Sequence, residues 1–116
     1  MPNILNLQFY SGDDDELKFV IKNAGVVVDI TGATAVFQVR TSTDAAAPIL
    51  NINGIIVGAL GEITFPVTKA DTALLTPSNI GPKHYIHDVE LTYANGNVET
   101  LFKGAVTGFA DVSRAV

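Results

Sequence analysis

Apolar and polar residues alternate with period two along most of this chain, which is typical of half-buried β-strands. The clearest example is residues 85–93, where the face that carries Tyr85 is apolar or aromatic at every second position except His87. The pair Asn95-Gly96 follows it, and these residue types suit the positive φ angles of a two-residue hairpin turn. The pattern therefore predicts a β-hairpin over residues 84–104.

The same alternation predicts strands throughout the rest of the chain, separated by Gly, Asn, Asp and Ser turn residues. They cover residues 4–10, 16–22, 26–30, 33–41, 49–57, 62–67 and 105–112. The segment 49–57 has apolar residues on both sides of Asn53-Gly54 and fits a hairpin or an irregular edge strand. Pro66 cannot donate to a ladder, so it is expected at an edge or a strand end, and its strand is expected to be terminal in its sheet.

One short helix is predicted over residues 68–75, because Thr68 is placed to cap it and Asp71 stands at the partner position of a capping box. Many short strands without strand–helix alternation favour an antiparallel sandwich over a parallel α/β fold. The predicted fold is an all-β, immunoglobulin-like antiparallel β-sandwich of about eight strands, with residues 1–116 forming a single domain.

The composition of the chain disfavours several classes of function. The chain is 47% hydrophobic and 16% charged, with a mean hydropathy of +0.32, which is apolar for a soluble monomer and suggests that another chain covers part of its surface. A net charge of −5 disfavours nucleic acid as a partner. No apolar run is long enough to span a membrane, the N-terminus lacks a secretory signal pattern, and the chain has no cysteine for disulfides.

Two clusters of polar residues are candidates for a metal site, and neither has the required pattern. His84 and His87 are three residues apart on a predicted strand, so their side chains diverge, and both are expected to be ordinary strand residues. The acidic run 13–16 lacks the alternating spacing of a calcium loop and is expected to be a solvated turn that protects a sheet edge.

Nucleophilic and acid–base chemistry have no recognisable motif. Asp88 and Glu90 share one strand face and are expected to form an outward polar stripe, while the glycine segments 58–61 and 104–108 are interpreted as turns or bulges. The serines lie in no nucleophile elbow; they are Ser11, Ser42, Ser78 and Ser113. The phenylalanines are expected in the core; they are Phe9, Phe19, Phe37, Phe65, Phe102 and Phe109. No catalytic, cofactor-binding or metal-binding residue is predicted, and the protein is not expected to be an enzyme.

The order and spacing of several short motifs resemble a viral module, the N-terminal domain of tailed-phage baseplate upper proteins. The motifs include Asp29-Ile-Thr-Gly-Ala33, Phe37-Gln-Val-Arg40 and the hairpin that begins at His87. All of them lie in residues 9–13, 17–21, 29–33, 37–40, 61–65 and 87–104. Unlike those proteins, the chain ends at Val116, and it carries an extra loop at 76–82, so an adaptor or decoration subunit is expected here.

The resemblance implies a non-enzymatic virion protein, made in the host bacterial cytoplasm, that serves as a tail, baseplate or fibre-attachment adaptor. Its implied partners are a symmetric scaffold of other virion proteins and copies of itself, with no nucleic acid, membrane, small-molecule substrate or cofactor. Residues 1–7, 45–57 and 105–116 are the expected contact segments. A capsid decoration subunit and a carbohydrate-binding module remain alternatives. The last would need an exposed aromatic among Tyr10, Tyr85 and Tyr93.

Overall fold

A computed structural model of the protein describes residues 3–42, 46–75 and 83–109. Within these ranges it contains eleven strands, one α-helix and a 3₁₀ turn. The elements are β1 (Asn3–Ile4), β2 (Leu7–Tyr10), β3 (Asp15–Val20), β4 (Lys22–Asn23), β5 (Val26–Val27), β6 (Thr34–Arg40), β7 (Leu50–Asn53), β8 (Ile55–Val57), β9 (Glu62–Val67), α1 (Lys69–Leu74), β10 (Lys83–Thr92) and β11 (Val98–Phe109), with the 3₁₀ turn at Gly58–Leu60. The predicted all-β sandwich fold is confirmed.

The larger of the two packed sheets has the order β1-β11-β10-β6-β7, and β2 pairs with the same strand as β1. Strands β11, β10, β6 and β7 are antiparallel neighbours, whereas β1 and β2 run parallel to β11. The antiparallel prediction was therefore wrong for the N-terminal strand. That strand is followed in the chain by β3 of the other sheet, so no hairpin fixes its direction. It is also split in two at Leu5 and Asn6.

The smaller sheet has the order β3-β9-β8, and the chain enters it directly from the larger one. Strand β7 pairs with β6, Gly54 follows, and β8 pairs with β9. A Cβ at Gly54 would lie 3.0 Å from both Ile63 and Phe65, so glycine lets the chain change sheets against the core. This is the predicted irregular edge strand, and there is no hairpin at Asn53-Gly54.

The core lies between the inner faces of the two sheets. Alternation places Phe37 and Val39 of β6 and Val89 of β10 opposite Ile63 and Phe65 of β9, and all five side chains have no measurable exposure. Burying a side chain of this size contributes about 1.5–3 kcal/mol. Five of the six phenylalanines are in or against this core, but Phe109 lies on the outer face and stacks on Tyr10 with ring centroids 5.2 Å apart.

Helix α1 closes one end of the sandwich. The predicted capping box is present, because the Thr68 hydroxyl accepts a hydrogen bond from the Asp71 amide and the Asp71 carboxylate accepts one from the Thr68 amide. The helix is followed by Leu75, which is fully buried and whose carbonyl accepts a 2.7 Å hydrogen bond from the Tyr85 hydroxyl. A side chain of the large sheet therefore fixes the end of the helix.

The predicted hairpin is formed by β10 and β11, with a longer turn than expected. The Gly96 amide bonds to the Tyr93 carbonyl and the Tyr93 amide to the Asn97 carbonyl, so the loop consists of residues 94–96. Within this loop only Gly96 has a positive φ angle, of 91°. This matches a type I turn closed by a left-handed glycine and not the predicted two-residue turn.

Three strand predictions need correction. The predicted strand at 26–30 keeps only Val26–Val27, because Asp29 accepts hydrogen bonds from the Thr31 amide and hydroxyl and turns the chain. The closing strand at 105–112 is not separate, since β11 is continuous to Phe109; its remainder is outside the described residues. Strand β9 is central in its sheet. Pro66 is tolerated because β8 pairs only with Glu62–Thr64 and does not extend as far as Pro66.

Candidate interaction surfaces

The outer face of the small sheet carries three exposed branched aliphatic side chains. Val20 is 44% exposed, Ile55 60% and Val57 45%. Registers place Val20 and Val57 on either side of Glu62, and Ile55 beside Thr64, so all three lie on one surface. We call these three residues the aliphatic face.

A small hairpin extends this surface. Strands β4 and β5 follow β3 directly, and Val26 and Val27 at the hairpin are 68% and 42% exposed. A Cβ at Gly61 would lie 3.0 Å from a methyl group of Val27, so this hairpin lies against the start of β9. Two further exposed valines therefore lie next to the small sheet.

Strand β8 also leaves a backbone edge next to the aliphatic face. It pairs with β9 and with no other strand in the described residues. The only ion pair among those residues crosses the same face, between Lys18 and Glu62 at 3.6 Å. An exposed edge lined by β-branched residues favours pairing with another chain, because its unpaired amides and carbonyls and its apolar side chains are available together.

The larger sheet carries a shallow groove of about 600 Å³ on its outer face. Ile86 and Asp88 of β10 line it between Arg40 of β6 and Lys103 of β11. The Arg40 guanidinium donates a 3.1 Å hydrogen bond to the Gln38 side chain. This surface is mixed in charge and hydrogen-bonding capacity, unlike the aliphatic face.

The two histidines have different environments and do not converge. His84 is exposed, and its Nδ1 lies 3.4 Å from the Thr107 hydroxyl. His87 is 5% exposed, and its Nε2 lies 2.6 Å from the Leu5 carbonyl oxygen. Because a carbonyl only accepts, Nε2 carries the proton and donates. The Nδ1 of His87 is buried without a hydrogen-bond partner.

Burial lowers the pKa of His87, while its hydrogen bond to Leu5 and the charge of Asp88 act in the opposite direction. A second proton would put an unpaired N–H at Nδ1 in the core, so the neutral imidazole is the folded form. His87 was expected to be an ordinary strand residue. Its link to Leu5 was missed, since nothing in the local alternation indicates which distant backbone atom a buried imidazole meets.

The acidic run has a structural role that sequence reasoning also missed. The Asp14 carboxylate accepts a 2.8 Å hydrogen bond from the Lys69 amide at the start of α1, and the Asp13 carbonyl accepts one from the Thr72 hydroxyl. The Gly12 amide in turn donates to Thr72 Oγ1. The run therefore joins the β2–β3 turn to the helix.

The remaining chemical candidates are spread over the domain. Asp88 and Glu90 alternate onto the outer face of β10 as predicted. Ser11 and Ser42 are in separate loops, and Ser78 and Ser113 lie outside the described residues. Within the described ranges no three His, Cys, Asp or Glu side chains are grouped closely enough to hold a metal ion.

Of the three tyrosines, only Tyr10 is exposed, at 49%, and it is stacked on Phe109. Tyr85 is buried, which raises its pKa, and the Tyr93 hydroxyl donates a 2.7 Å hydrogen bond to Glu99. None of the three lines the groove on the large sheet.

The predicted contact segments coincide only in part with the exposed apolar surface. Segment 45–57 contains Ile55 and Val57, and segment 1–7 contains Ile4, which is 66% exposed. Segment 105–116 is described only to Phe109, and its Val106 is buried. Val20 is exposed but lies outside all three predicted segments, although its apolar side chain stands at an outward position of a strand with regular alternation.

No protein-family model matches the chain, and no curated protein matches it. In the described part of the chain, no helix has the length and apolar character needed to cross a bilayer. The surfaces of the domain and the order of its sequence motifs are what point to a function.

Proposed function

We propose that the protein is a non-enzymatic structural subunit of a tailed-phage virion, a tail, baseplate or fibre-attachment adaptor that docks on a symmetric scaffold through its aliphatic face. The observation that carries this proposal is the exposure of Val20, Ile55 and Val57 together beside the free edge of β8. Solvated strand faces normally carry polar residues, so three aliphatic side chains here are better suited to contact with protein than with water.

The size of the effect suits an assembly of many copies. Each of the three side chains is about half exposed, and covering it would contribute roughly 1 kcal/mol from the 1.5–3 kcal/mol of full burial. A few kcal/mol per copy gives weak binding for one subunit. Repeated around a symmetric scaffold, the same contacts give a stable assembly.

The motifs that resemble baseplate upper proteins support the same proposal, because several of them form the turns that fix the fold. Asp29 and Thr31 build the turn before β6, and Gly32 there has a φ angle of 85°. The resemblance thus concerns how the sandwich is constructed, and it implies a docking module in a virion.

The test is incorporation into particles. Tagged wild-type protein, Ile55→Lys and Val98→Lys are expressed in the host during particle production, and gradient-purified particles are probed for the tag. Val98 is the matched control, because it is 59% exposed, nearly as much as Ile55 at 60%, but belongs to β11 of the other sheet.

Wild type and Val98→Lys are expected in the particle fraction, and Ile55→Lys is expected to be lost from it. Absence of the wild-type protein from particles would overturn the virion function. Equal incorporation of Ile55→Lys would overturn the assignment of the aliphatic face as the docking surface. A capsid decoration subunit would give the same pattern, with the tag located on heads instead of tails by immunogold labelling.

A carbohydrate-binding module is the second candidate, and the groove on the large sheet is the observation that favours it, although the groove lacks the exposed tyrosine that such a module was expected to use. Arg40, Gln38 and Asp88 offer the planar polar groups that bind sugar hydroxyls, beside the apolar side chain of Ile86. Retention on a glycan array that is lost in Asp88→Asn, without incorporation into particles, would favour this function over the adaptor.

A further inference from the structure

The N-terminal arm, which we define as residues 3–10, forms strand pairs with the large sheet only along one edge of β11. Asn3 and Ile4 pair with Phe102 and Lys103, and Leu7–Tyr10 pair with residues 106–109, in both cases in parallel. In the described residues no strand pairs with the other side of the arm. The arm is therefore an edge element, attached by two short ladders.

The surface that receives the arm is shaped for it in detail. Gly104 leaves room for the Leu5 carbonyl, since a Cβ there would lie 2.3 Å from that oxygen. The His87 imidazole reaches past Gly104 and donates to the same oxygen at 2.6 Å. On the next residue, the Ala105 amide donates to Asn6 Oδ1 at 3.0 Å. We call Gly104, His87 and Ala105 the arm seat.

The arm also supplies part of the core. Phe9 is 1% exposed, and Leu5 and Leu7 are half-buried on the same side of the arm. When the arm leaves β11, its apolar side chains and the arm seat are both exposed to water. The two surfaces fit each other by shape and by hydrogen bonding, so the best partner for either one is the complementary surface on another copy.

Opening of the arm costs less than opening any strand in the middle of a sheet. The ladder is interrupted at Leu5 and Asn6, where only the Leu5 amide and the Asn6 side chain bond to β11, and one ladder has only the two residues Asn3 and Ile4. Beyond the arm the chain turns at Gly12, and Asp13 and Asp14 are held to α1 by hydrogen bonds. The arm can therefore swing about Gly12, with loss of the hydrogen bond from the Ser11 amide to the Phe109 carbonyl, while the rest of the sandwich stays folded.

We propose that the N-terminal arm is exchanged between copies of this chain, so that residues 3–10 of one copy pair with β11 and occupy the arm seat of the next. The exchanged contacts are the same as those within one copy. Exchange therefore changes which copy supplies the arm and leaves the strength of each contact unaltered. Head-to-tail exchange would close into a ring when the rotation between copies allows it.

The arm seat also makes exchange sensitive to acid. The ionisable side chains around His87 on the neighbouring strands are Asp88, Arg40 and Lys103, and all three alternate onto the outer face. None of them supplies an acceptor for a proton on the buried Nδ1. Protonation strengthens the bond from Nε2 to Leu5, but burial of an unpaired N–H at Nδ1 is the larger effect, so protonation favours opening of the site that the arm covers and mild acid is expected to speed exchange.

The absence of cysteine from the natural chain provides a clean test. Gln8 and Thr107 are paired residues on the arm and on β11, and paired positions on adjacent strands are within disulfide reach. Two single variants, Gln8→Cys and Thr107→Cys, are purified separately, mixed at about pH 5.5, returned to about pH 8 and oxidised. A disulfide between the two proteins then reports an arm paired with another copy.

The control mixture uses Lys18→Cys and Thr64→Cys, which are paired residues on β3 and β9. Lys18 matches Gln8 as an exposed position, and Thr64 matches Thr107 as a half-buried one. The double variant Gln8→Cys/Thr107→Cys serves as a second control, because it must close within one chain when the arm is in place.

Exchange predicts that the disulfide-linked heterodimer is a major product of the arm mixture and only a trace product of the control mixture. When both cysteine variants also carry His87→Gln, acid should no longer speed formation of the heterodimer. When both carry His84→Gln instead, acid should still speed it. Equal, trace yields from the two mixtures, together with intramolecular closure of the double variant, would overturn the proposal.

Discussion

Replacement of Gly104 by alanine is the most direct probe of how the N-terminal arm is held. The added Cβ would lie 2.3 Å from the Leu5 carbonyl oxygen and 2.9 Å from Asn6 Oδ1, distances that real Cβ atoms do not reach. The arm must therefore move away from β11. Leu5 then loses its 2.9 Å bond to the Lys103 carbonyl and its bond to His87, and Asn6 loses its bond to Ala105.

The sign of the change in the free energy of unfolding distinguishes this clash from an ordinary glycine-to-alanine substitution. Three lost hydrogen bonds at about 0.5–1.5 kcal/mol each give a loss of about 1.5–4.5 kcal/mol. Alanine in a strand with free space would instead stabilise by about 0.5–1 kcal/mol relative to glycine. The net expectation for Gly104→Ala is a loss of about 0.5–4 kcal/mol, which is measurable against the 5–15 kcal/mol of a typical domain.

Urea unfolding gives the free energy, and hydrogen exchange of the Leu5 amide shows whether the loss is in the arm. Ala105→Ser is the control, because it keeps the backbone amide that bonds to Asn6 and changes only an exposed side chain next to Gly104 on the same strand. We expect Leu5 to lose protection in Gly104→Ala and to keep it in Ala105→Ser. A Gly104→Ala protein that is as stable as wild type, with Leu5 still protected, would show that the arm does not depend on close approach to Gly104.

Three further predictions concern other parts of the fold. Because burial lowers the pKa of His87, the unfolded chain binds more protons than the folded protein near pH 6. The free energy of unfolding should therefore fall as the pH drops below about 6.5. In urea titrations, His87→Gln should reduce this pH dependence and His84→Gln should not. Asp71→Ala removes half of the capping box and should cost about 1 kcal/mol in thermal unfolding; no change would contradict the cap. Tyr85→Phe leaves the Leu75 carbonyl without its donor and should cost about 1–3 kcal/mol; equal stability would show that another donor replaces the hydroxyl.

The strands and the helix cap could be predicted from the sequence because their signals are local. Alternation around Val89 and Leu91 identified the inner face of β10, and the Thr68–Asp71 spacing identified the start of α1. Each of these depends on neighbours within a few residues. The same local signals predicted the wrong turn length at Asn95-Gly96, since turn length depends on which residues of the two strands pair.

The surfaces and the arm contacts could not be predicted, because they arise between residues that are far apart in the chain. Leu5 and His87 are separated by 82 positions, and no pattern near either one indicates the other. Val20 and Val57 share a face only because β9 lies between their strands. The parallel direction of the arm follows from the same long-range pairing.

Lysine reactivity on assembled particles is the measurement that tests the docking claim most directly. Lys18 lies on the same sheet face as the aliphatic face, and its side chain is 54% exposed, while Lys103 is exposed on the other sheet. Free protein and purified particles are acetylated briefly, and modification at each lysine is measured by mass spectrometry. Docking through the aliphatic face predicts that Lys18 is protected in particles and that Lys103 stays more reactive. Equal modification of Lys18 in free and particle-bound protein would contradict docking through the aliphatic face.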